Sequence, residues 1–401
     1  MNMQILKTIG LSIALATMLL LNACKKDNNL SIKQTELNVS LKNPENLQGV
    51  FLKDAAITFK EINSGSIYTS SELVNNSFEI MLPEGSYDVT LEGTVEYKED
   101  GQSIISNVRG YQNGLVVNGT SANLKLSLFL YDDDANFVIK EIFFTGTQTA
   151  EGKNYNGDKY FIIYNNSDEI LFADGLIIAQ SKFLTTSKIE YTPDIMSSAF
   201  TTSDIVMVPG DGDDYPIEPG KSFVVANNAI NHLEYNSASL DLTKADFELG
   251  LISSINVDNP EVTDLINVTN SLLMHDRGFK TFVLARLNGT TEDFKQNNTY
   301  TYTYLSGIGT VMTADSYKIP NEWILDAVNL SVASEFEWIV TDPSLDMGWT
   351  YVGKVDKDAN RYGKSVTRKI LSTTPEGREI LKDTNNSTVD FEPETKPSLF
   401  K

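Results

Sequence analysis

The sequence is poor in cysteine and histidine, with one Cys and two His among its 401 residues. A single Cys excludes a disulfide scaffold within the chain, Cys-based redox pairs and Cys-rich zinc sites. The only imidazoles that could serve as catalytic bases are His232 and His275, and no His-x-x-x-His or His-x-His spacing joins them into a metal motif. We therefore expect both to be hydrogen-bonded loop histidines, and we expect the protein not to be an enzyme.

Two other catalytic signatures are missing. The sequence has no Gly-x-Ser-x-Gly elbow of a serine hydrolase and no glycine-rich phosphate loop of either common kind. Another reaction class stays open because 54 Asp and Glu residues supply many carboxylate pairs. A hydrolase of polysaccharide that works through two carboxylates, with or without calcium, is thus an alternative.

Positive charge is also scarce. Lys and Arg number 32 against 54 Asp and Glu, which gives a formal net charge of −22. Such a chain repels phosphate backbones, so nucleic acid is excluded as the expected partner. It repels anionic lipid headgroups as well, so contact with a membrane needs an anchor rather than a basic patch.

The first 24 residues have the order of a bacterial export signal. Lys7 supplies the positive charge, and an apolar run over residues 9–21 follows it. That run is shorter than the roughly 20 residues that cross a bilayer. Residues 21–24 end in the only Cys, Cys24, and resemble the lipobox of bacterial lipoproteins. The resemblance implies that residues 1–23 are a cleaved signal peptide and that Cys24 carries a diacylglyceryl group and, on its new N-terminus, a further acyl chain such as palmitate.

Residues 24–30 form a polar tether after the anchor. The charged residues directly behind Cys24 resemble the surface-export signal of Bacteroidota lipoproteins. Several acyl chains hold a protein stably at a membrane, whereas one chain gives marginal binding. We therefore expect a protein that is lipid-anchored at the outer membrane and exposed at the cell surface.

The mature chain is predicted to be all-β, with two β-sandwich domains in tandem. Residues 31–130 contain short segments of period-two alternation separated by Gly, Ser and Asn clusters, which is typical of a sandwich. In the segment 82–91, a Pro-Gly turn precedes the alternating residues Tyr87, Val89 and Leu91. This pattern resembles the prealbumin-like sandwich of many exported proteins, which implies a regulatory or spacer fold and no particular activity.

Residues 131–136 are predicted to be an acidic linker, with calcium binding by its adjacent carboxylates as the alternative. Residues 137–401 resemble the lamin-tail domain, an immunoglobulin-like sandwich. The resemblance rests on several short landmarks, at 139–142, 164–168, 174–176, 216–226 and 363–369. A lamin-tail domain needs fewer residues, so about 231–318 is predicted to be a large insertion.

The layout also resembles a Bacteroidota lipoprotein family known as domain of unknown function family 4876. The residues that carry this resemblance lie at 215–220, 229–232, 323–327 and 383–391. Membership implies a place at the outer membrane and brings no assigned activity.

One acidic turn is the best candidate for a cation site. Asp211, Asp213 and Asp214 offer three carboxylates within four residues, and Ca²⁺ prefers several oxygens from a flexible loop. The turn lacks the mid-loop Gly and distal Glu of an EF-hand, so an ordinary acidic surface turn is the alternative. A second, weaker candidate is the segment 355–360.

Four aromatic residues are candidates for ligand or partner contact. Trp323, Trp338 and Trp349 fall within one short stretch, and Tyr351 follows. Exposed rings of this kind stack on sugars or hold a partner, whereas buried rings of a β core have the same pattern. The favoured function is a non-catalytic binding or accessory module, which takes a glycan or small ligand and partners an outer-membrane transporter. A carboxylate hydrolase and a structural spacer remain the alternatives.

Overall fold

The structure is a computed structural model that describes residues 33–44, 47, 50–74, 76–99, 102–131, 136–252, 257–287 and 289–400. The predicted signal peptide, Cys24, the polar tether and most of the acidic linker lie outside the described residues. Within them, no helix is both long and apolar enough to span a membrane.

The protein is all-β, as predicted, and the few helices are short. Two α-helices, α1 (Thr291–Asn297) and α2 (Ser387–Asp390), and three 3₁₀ turns interrupt the strands of the described chain. The turns span His232–Glu234, Asn321–Trp323 and Ala359–Arg361. We describe the strands as an N-terminal and a C-terminal unit.

The N-terminal unit has seven strands in the order β3-β2-β5-β6-β7-β1-β4. They are β1 (Gln34–Lys42), β2 (Phe51–Glu61), β3 (Ile67–Ser70), β4 (Ser77–Pro83), β5 (Gly85–Glu99), β6 (Gln102–Val117) and β7 (Ser121–Tyr131). Only β1 and β7 pair in parallel. Alternate residues of these strands are buried, as in β1, where every second residue from Thr35 to Val39 faces the core. The strands therefore enclose one apolar cluster.

The predicted inward alternation in β5 is confirmed. Tyr87, Val89 and Leu91 are fully buried. The Tyr87 hydroxyl donates to the Pro83 carbonyl oxygen at 2.7 Å, so it closes the bend between β4 and β5. These two strands are not paired with each other, because β4 adds to β1 whereas β5 lies between β2 and β6. The Pro-Gly segment thus carries the chain from one part of the sandwich to the other.

The C-terminal unit contains many short strands. In chain order they are β8 (Phe137–Phe143), β9 (Thr147–Gln148), β10 (Asn154–Tyr155), β11 (Tyr160–Asn165), β12 (Leu171–Phe172), β13 (Leu176–Ser181), β14 (Tyr191–Thr192), β15 (Ala199–Met207), β16 (Pro216–Ile217), β17 (Ser222–Ala226), β18 (Phe247–Glu248), β19 (Thr263–Asp264), β20 (Ile266–Asn267), β21 (Thr281–Arg286), β22 (Thr299–Leu305), β23 (Val311–Pro320), β24 (Ile324–Asn329), β25 (Ser365–Arg368), β26 (Ile370–Thr373), β27 (Glu379–Leu381) and β28 (Phe391–Thr395).

Two large sheets form this unit. The first sheet has the order β19-β18-β17-β11-β8-β25-β28, and the second has the order β14-β22-β23-β15-β13-β21-β24 with β20 beside β15. Their facing residues form the largest apolar cluster, in which the rings of Phe161 and Phe282 meet edge to face at 5.0 Å. Part of the predicted insertion at 231–318 lies inside this sandwich, because β21 pairs with both β13 and β24. The insertion boundaries themselves stay a prediction.

Both outer faces of this sandwich are also covered. Residues 229–242 and the C-terminal end at Leu399 and Phe400 pack on the outer face of the first sheet. Phe294 of α1 and neighbouring residues pack on the outer face of the second. Every residue of β11 is therefore buried, since it has protein on both faces. The covering segment 229–242 matters for function because it frames the cavity described below.

The two units contact each other through a buried arginine. The guanidinium group of Arg109 donates to the carbonyl oxygens of Pro343 and Ser344 at 3.1 and 3.2 Å. Outside this contact, Lys382 and Glu92 form an ion pair at 2.8 Å. The units are thus joined by polar contacts between distant parts of the chain.

Candidate functional site

The four predicted aromatic contact residues do not form one surface. Trp323 packs on the outer core of the second sheet. Trp338 packs in a separate aromatic cluster, and its indole N–H donates to a backbone carbonyl oxygen at 2.7 Å. Trp349 stacks on Phe336 with ring centroids 5.1 Å apart, and it lies 5.8 Å from Tyr351. The structure therefore brings together Trp349 and Tyr351, both half-buried, and places the other two in packing roles.

The predicted cation turn is held by its own hydrogen bonds. The Asp214 carboxylate accepts from the backbone N–H of Asp211 at 2.9 Å. Asp174, which was not among the predicted cation ligands, accepts from three backbone N–H groups within residues 212–215. Burial acts to raise the pKa of Asp174, but these three N–H groups outweigh it and hold the pKa below its usual value. Asp213 lies exposed on the same turn.

The weaker cation candidate at 355–360 is also occupied by protein contacts. Asp356 forms an ion pair with Arg277 at 2.8 Å. Asp358 accepts from the backbone N–H of Asn360 and caps a 3₁₀ turn. Calcium binding at either segment stays a prediction.

A different group of three acids lies close together among the described residues. Carboxylate oxygens of Glu248, Asp258 and Asp264 lie within 4.8 Å of one another. Glu248 is buried and accepts from the backbone N–H groups of Ala229 and Asn259 at 2.7 and 2.9 Å. Burial raises its pKa. Glu248 thus ties the segment after β17 to the segment after β18, which is a structural role.

The motif residues near the end of the chain form a buried ionic cluster. Arg368 donates to Asp326 at 2.6 Å, to Asp383 at 2.9 Å and to the Ile139 carbonyl oxygen at 2.9 Å. Asp390 lies 3.9 Å from the same guanidinium group. Burial raises the pKa of Asp326 and that of Asp390, the latter to about 7. These residues join β8, β24, β25 and α2, so they stabilise the sandwich and present no open carboxylate pair.

The best candidate for a functional site is a cavity of about 340 Å³ beside the outer face of the first sheet. We call it the amide cavity. Its lining residues come from the β10 hairpin and from the segments after β17 and β18: Asn154, Tyr155, Asn156, Gly157, Asn227, Asn228, Ile230, Tyr235, Leu251 and Val257. Four of them carry side-chain amides and none carries a charge. The cavity therefore offers hydrogen bonds without offering an ion pair.

Two features of the cavity wall are set by local structure. Asn227 and Asn228 directly follow β17, and the backbone N–H of Asn227 donates to the Lys159 carbonyl oxygen at 2.8 Å. Gly157 approaches closely, since a Cβ there would lie 3.3 Å from the Asn228 amide nitrogen and 3.3 Å from His232. The glycine leaves room that a side chain would fill.

The amide oxygen of Asn228 has no hydrogen-bond partner, although the residue is only 5% exposed. A buried polar atom without a partner costs free energy, of the order of 1–3 kcal/mol. Native proteins rarely leave such an atom in place without a reason. The oxygen has almost no accessible surface, so a ligand or water that donates a hydrogen bond satisfies it only when the amide turns toward the cavity that Asn228 lines.

His232 lies behind the cavity and is fully hydrogen-bonded, as expected for a loop histidine. Its Nε2 contacts the Asn228 carbonyl oxygen at 2.9 Å, and its Nδ1 contacts the Tyr155 hydroxyl at 2.7 Å. A carbonyl oxygen only accepts, so Nε2 carries the proton. Burial lowers the pKa of His232, so the ring is neutral at pH 7 and Nδ1 accepts from Tyr155. The Tyr155 oxygen is then left with its lone pairs.

Asp158 completes the group behind the cavity. One of its carboxylate oxygens accepts from Thr147 and Ser239 at 2.5 and 2.6 Å, and the other has no hydrogen-bond partner. Burial raises the pKa of Asp158. The pKa of Tyr155 is also raised, to about 12, mainly because the hydroxyl is buried and secondly because the Asp158 carboxyl lies nearby. Tyr155 therefore stays un-ionised across the physiological range.

His275, the second imidazole, is a packed loop residue. Its ring stacks on Phe279 at 5.2 Å, and its Nδ1 accepts from the Phe279 backbone N–H at 3.3 Å. Burial and the neighbouring Arg277 lower its pKa to about 4. It is neutral at pH 7 and faces no cavity residue through these contacts.

Sequence reasoning missed Tyr155, Asn227, Asn228 and Tyr235. The available signals were the Asn-Tyr-Asn-Gly run at 154–157 and the Asn pair after a predicted strand. Both patterns are also typical of turns, since Asn and Gly accommodate tight backbone geometry. Only the fold shows that the two segments face each other.

Comparisons with known proteins agree with this architecture. Residues 218–398 match the family described as "Protein of unknown function (DUF4876)". A DUF4876 family protein from Bacteroides thetaiotaomicron VPI-5482 is 26% identical, with a TM-score of 0.56 over 90% of this chain and 96% of that chain. A candidate adhesin from Bacteroides ovatus ATCC 8483 is 11% identical over 72% and 84% of the two chains, and its TM-score of 0.20 supports no shared fold. No curated protein matches the chain.

The family match contains both structural and cavity residues. It includes the four residues of the buried ionic cluster and the cavity residues from Asn227 to Val257. The Bacteroides thetaiotaomicron protein resembles this chain along nearly its whole length. Neither comparison brings an activity with it.

Proposed function

We propose that this protein is a non-catalytic binding module, anchored by lipid at Cys24 to the outer membrane and exposed at the cell surface. The observation that carries the binding role is the amide cavity with its buried, unpartnered Asn228 oxygen. The anchor and the location rest on the sequence of residues 1–30, namely the export signal, the lipobox-like end and the charged tether.

The described polar groups support binding rather than catalysis. Both ring nitrogens of His232 are engaged in hydrogen bonds. Asp326, Asp383 and Asp390 surround Arg368 at side-chain exposures of 7% or less, so substrate does not reach them. A two-carboxylate hydrolase needs its pair at the wall of an open cleft. A pure spacer, in turn, needs no cavity lined by four side-chain amides.

The partner in this proposal is an outer-membrane transporter that receives the captured ligand. The lipid anchor would place this protein in the same membrane as the transporter. Confinement to one membrane raises the effective concentration at which the two proteins meet. The net charge of −22 keeps the body of the protein away from anionic headgroups. The binding surface is thus free to face ligand or transporter.

The experiment compares the full chain with a Cys24→Ser variant in a Bacteroidota host. We expect the wild-type protein in the outer-membrane fraction and sensitive to protease added to intact cells, and the variant in the soluble fraction. Cross-linking and pull-down from solubilised outer membrane should recover a transporter with the wild type. Equal fractionation of both proteins would contradict the anchor, and recovery of neither transporter nor ligand would contradict the accessory role.

A further inference from the structure

We infer that the amide cavity is a site for one or two rings of a neutral sugar, with the Asn228 amide turned so that a sugar hydroxyl donates to its oxygen. This inference rests on the proposed binding role and names its ligand class. It uses the composition of the wall, the unpartnered acceptor and the arrangement of the polar and apolar parts of the cavity.

The charge and size of the cavity select the ligand first. Its lining contains no charged side chain, and Tyr155 in the wall and His232 behind it are neutral at pH 7. Burial raises the pKa of the Asp158 carboxyl behind the cavity, which favours its neutral form. An ionic ligand would lose its hydration there without gaining a counter-charge. The volume of about 340 Å³ is near the lower end of ligand sites. A small neutral ligand fits both conditions.

The hydrogen-bonding groups of the cavity wall favour a ligand that carries hydroxyl groups. The Asn228 oxygen needs a donor, and the Tyr155 oxygen has lone pairs to offer because its proton is directed at His232. The amides of Asn154, Asn156 and Asn227 each offer two N–H donors and one acceptor. Neighbouring hydroxyls that donate and accept match such a set. A ligand with only acceptors would leave the Asn228 oxygen unsatisfied.

The remaining wall is apolar and suits the C–H face of a sugar ring. Ile230, Leu251 and Val257 line the cavity together with Tyr235. Tyr235 is 60% exposed, so its ring is available at the edge of the cavity. Aromatic side chains combine a broad apolar surface with a polar end, which makes them effective in binding amphipathic ligands. Sugars have this character, with hydroxyls around the ring and C–H groups on its faces.

The experiment measures binding of short oligosaccharides to the full chain by calorimetry. The probes are neutral oligomers of glucose, mannose, galactose or xylose, with oligogalacturonate as the charged counterpart. We expect at least one neutral oligomer to bind and oligogalacturonate to bind at least tenfold more weakly. Asn228→Ala and Tyr235→Ala should each weaken binding roughly tenfold, the effect of losing one buried hydrogen bond or one stacking surface.

Two further variants keep the result interpretable. Gly157→Ala places a methyl group 3.3 Å from the Asn228 amide and should weaken binding while every polar side chain remains. Trp349→Ala removes the half-buried Trp349 ring, which stacks on Phe336 away from the cavity, and should leave affinity unchanged. Tryptophan fluorescence and circular dichroism confirm folding of each variant.

The outcomes separate the two proposals. The inference is supported if the cavity variants lose binding of the neutral sugar and Trp349→Ala retains it. Loss in Trp349→Ala with normal binding in Asn228→Ala and Gly157→Ala overturns the cavity assignment and leaves the binding role intact. Capture of a transporter without binding of any oligosaccharide overturns the sugar inference alone. Absence of both overturns the binding role as well.

Discussion

The buried ionic cluster provides the sharpest test of how the C-terminal sandwich is stabilised. Arg368 has 1% side-chain exposure and makes four hydrogen bonds, to Asp326, Asp383 and the carbonyl oxygens of Ile139 and Lys382. Replacing it with Met keeps most of the volume and removes the cation. The acids then lack their counter-charge, and two carbonyl oxygens lose a donor. Removal of one partner from such a buried pair costs about 3–5 kcal/mol of unfolding free energy.

The assay is urea unfolding followed by tryptophan fluorescence. All three Trp residues lie in the C-terminal unit, so the signal reports that unit. Lys140→Met is the matched control, because the Lys140–Glu379 ion pair at 3.2 Å is partly exposed. Exposed pairs contribute about 1 kcal/mol or less. We expect Arg368→Met to lower the unfolding free energy several times more than Lys140→Met does.

The pH dependence of the loss in unfolding free energy caused by Arg368→Met shows which result would refute the reasoning. Burial raises the pKa of Asp326 and of Asp390 above their unfolded values, so the folded state binds more protons and loses stability as pH rises. Without Arg368 these pKa values rise further, and the variant loses stability over a wider pH range. The deficit of Arg368→Met should therefore be larger at pH 8 than at pH 5. A deficit under about 1 kcal/mol at pH 8, or one independent of pH, would refute the reasoning.

Three further predictions concern the wild type and the N-terminal unit. The urea midpoint of the C-terminal unit should rise when pH falls from 8 to 6, because the pKa of Asp390 is raised to about 7; a midpoint that falls would contradict this. Tyr87→Phe should lose about 1 kcal/mol, measured by hydrogen exchange of the β5 amides, because its bond to Pro83 disappears. Gly93→Ala should cost more than Tyr87→Phe in the same assay, since a Cβ would lie 2.1 Å from the Asp54 carbonyl oxygen; a smaller cost would argue against that close approach.

Much of the fold could be predicted from the pattern of apolar residues. The period-two alternation in residues 82–91 placed Tyr87, Val89 and Leu91 in the core, and the Tyr-Thr repeat at 300–304 lies in β22. Largely apolar segments such as 137–144 also became strands, and six of the seven residues of β8 are buried because both of its faces are covered. Local sequence determines such features, since each strand needs only its own residues to show which sides are buried.

The partners of individual residues could not be predicted, because they come from distant segments. Arg368 falls within the landmark at 363–369, but its carboxylate partners lie at 326, 383 and 390. Trp338 and Trp349 belong to the same short aromatic stretch, yet one packs in an aromatic cluster and the other stacks half-buried on Phe336. Sequence spacing does not contain the information that separates these roles.

The amide cavity shows the same limit for function. It joins residues of the 154–157 hairpin with Asn227, Asn228 and Tyr235, which are about seventy residues further along the chain. Each segment alone is typical of an Asn-rich turn. Their meeting depends on how residues 229–242 fold over the first sheet. The unpartnered Asn228 oxygen becomes visible only at that level.

The central claim is tested most directly by a crystal structure of the full chain in complex with a neutral oligosaccharide that binds it in calorimetry. The account predicts a sugar ring in the amide cavity, with one hydroxyl within hydrogen-bond distance of the Asn228 oxygen and an apolar ring face against Tyr235. A sugar seated instead on Trp349 and Tyr351, with the amide cavity holding none, would contradict it.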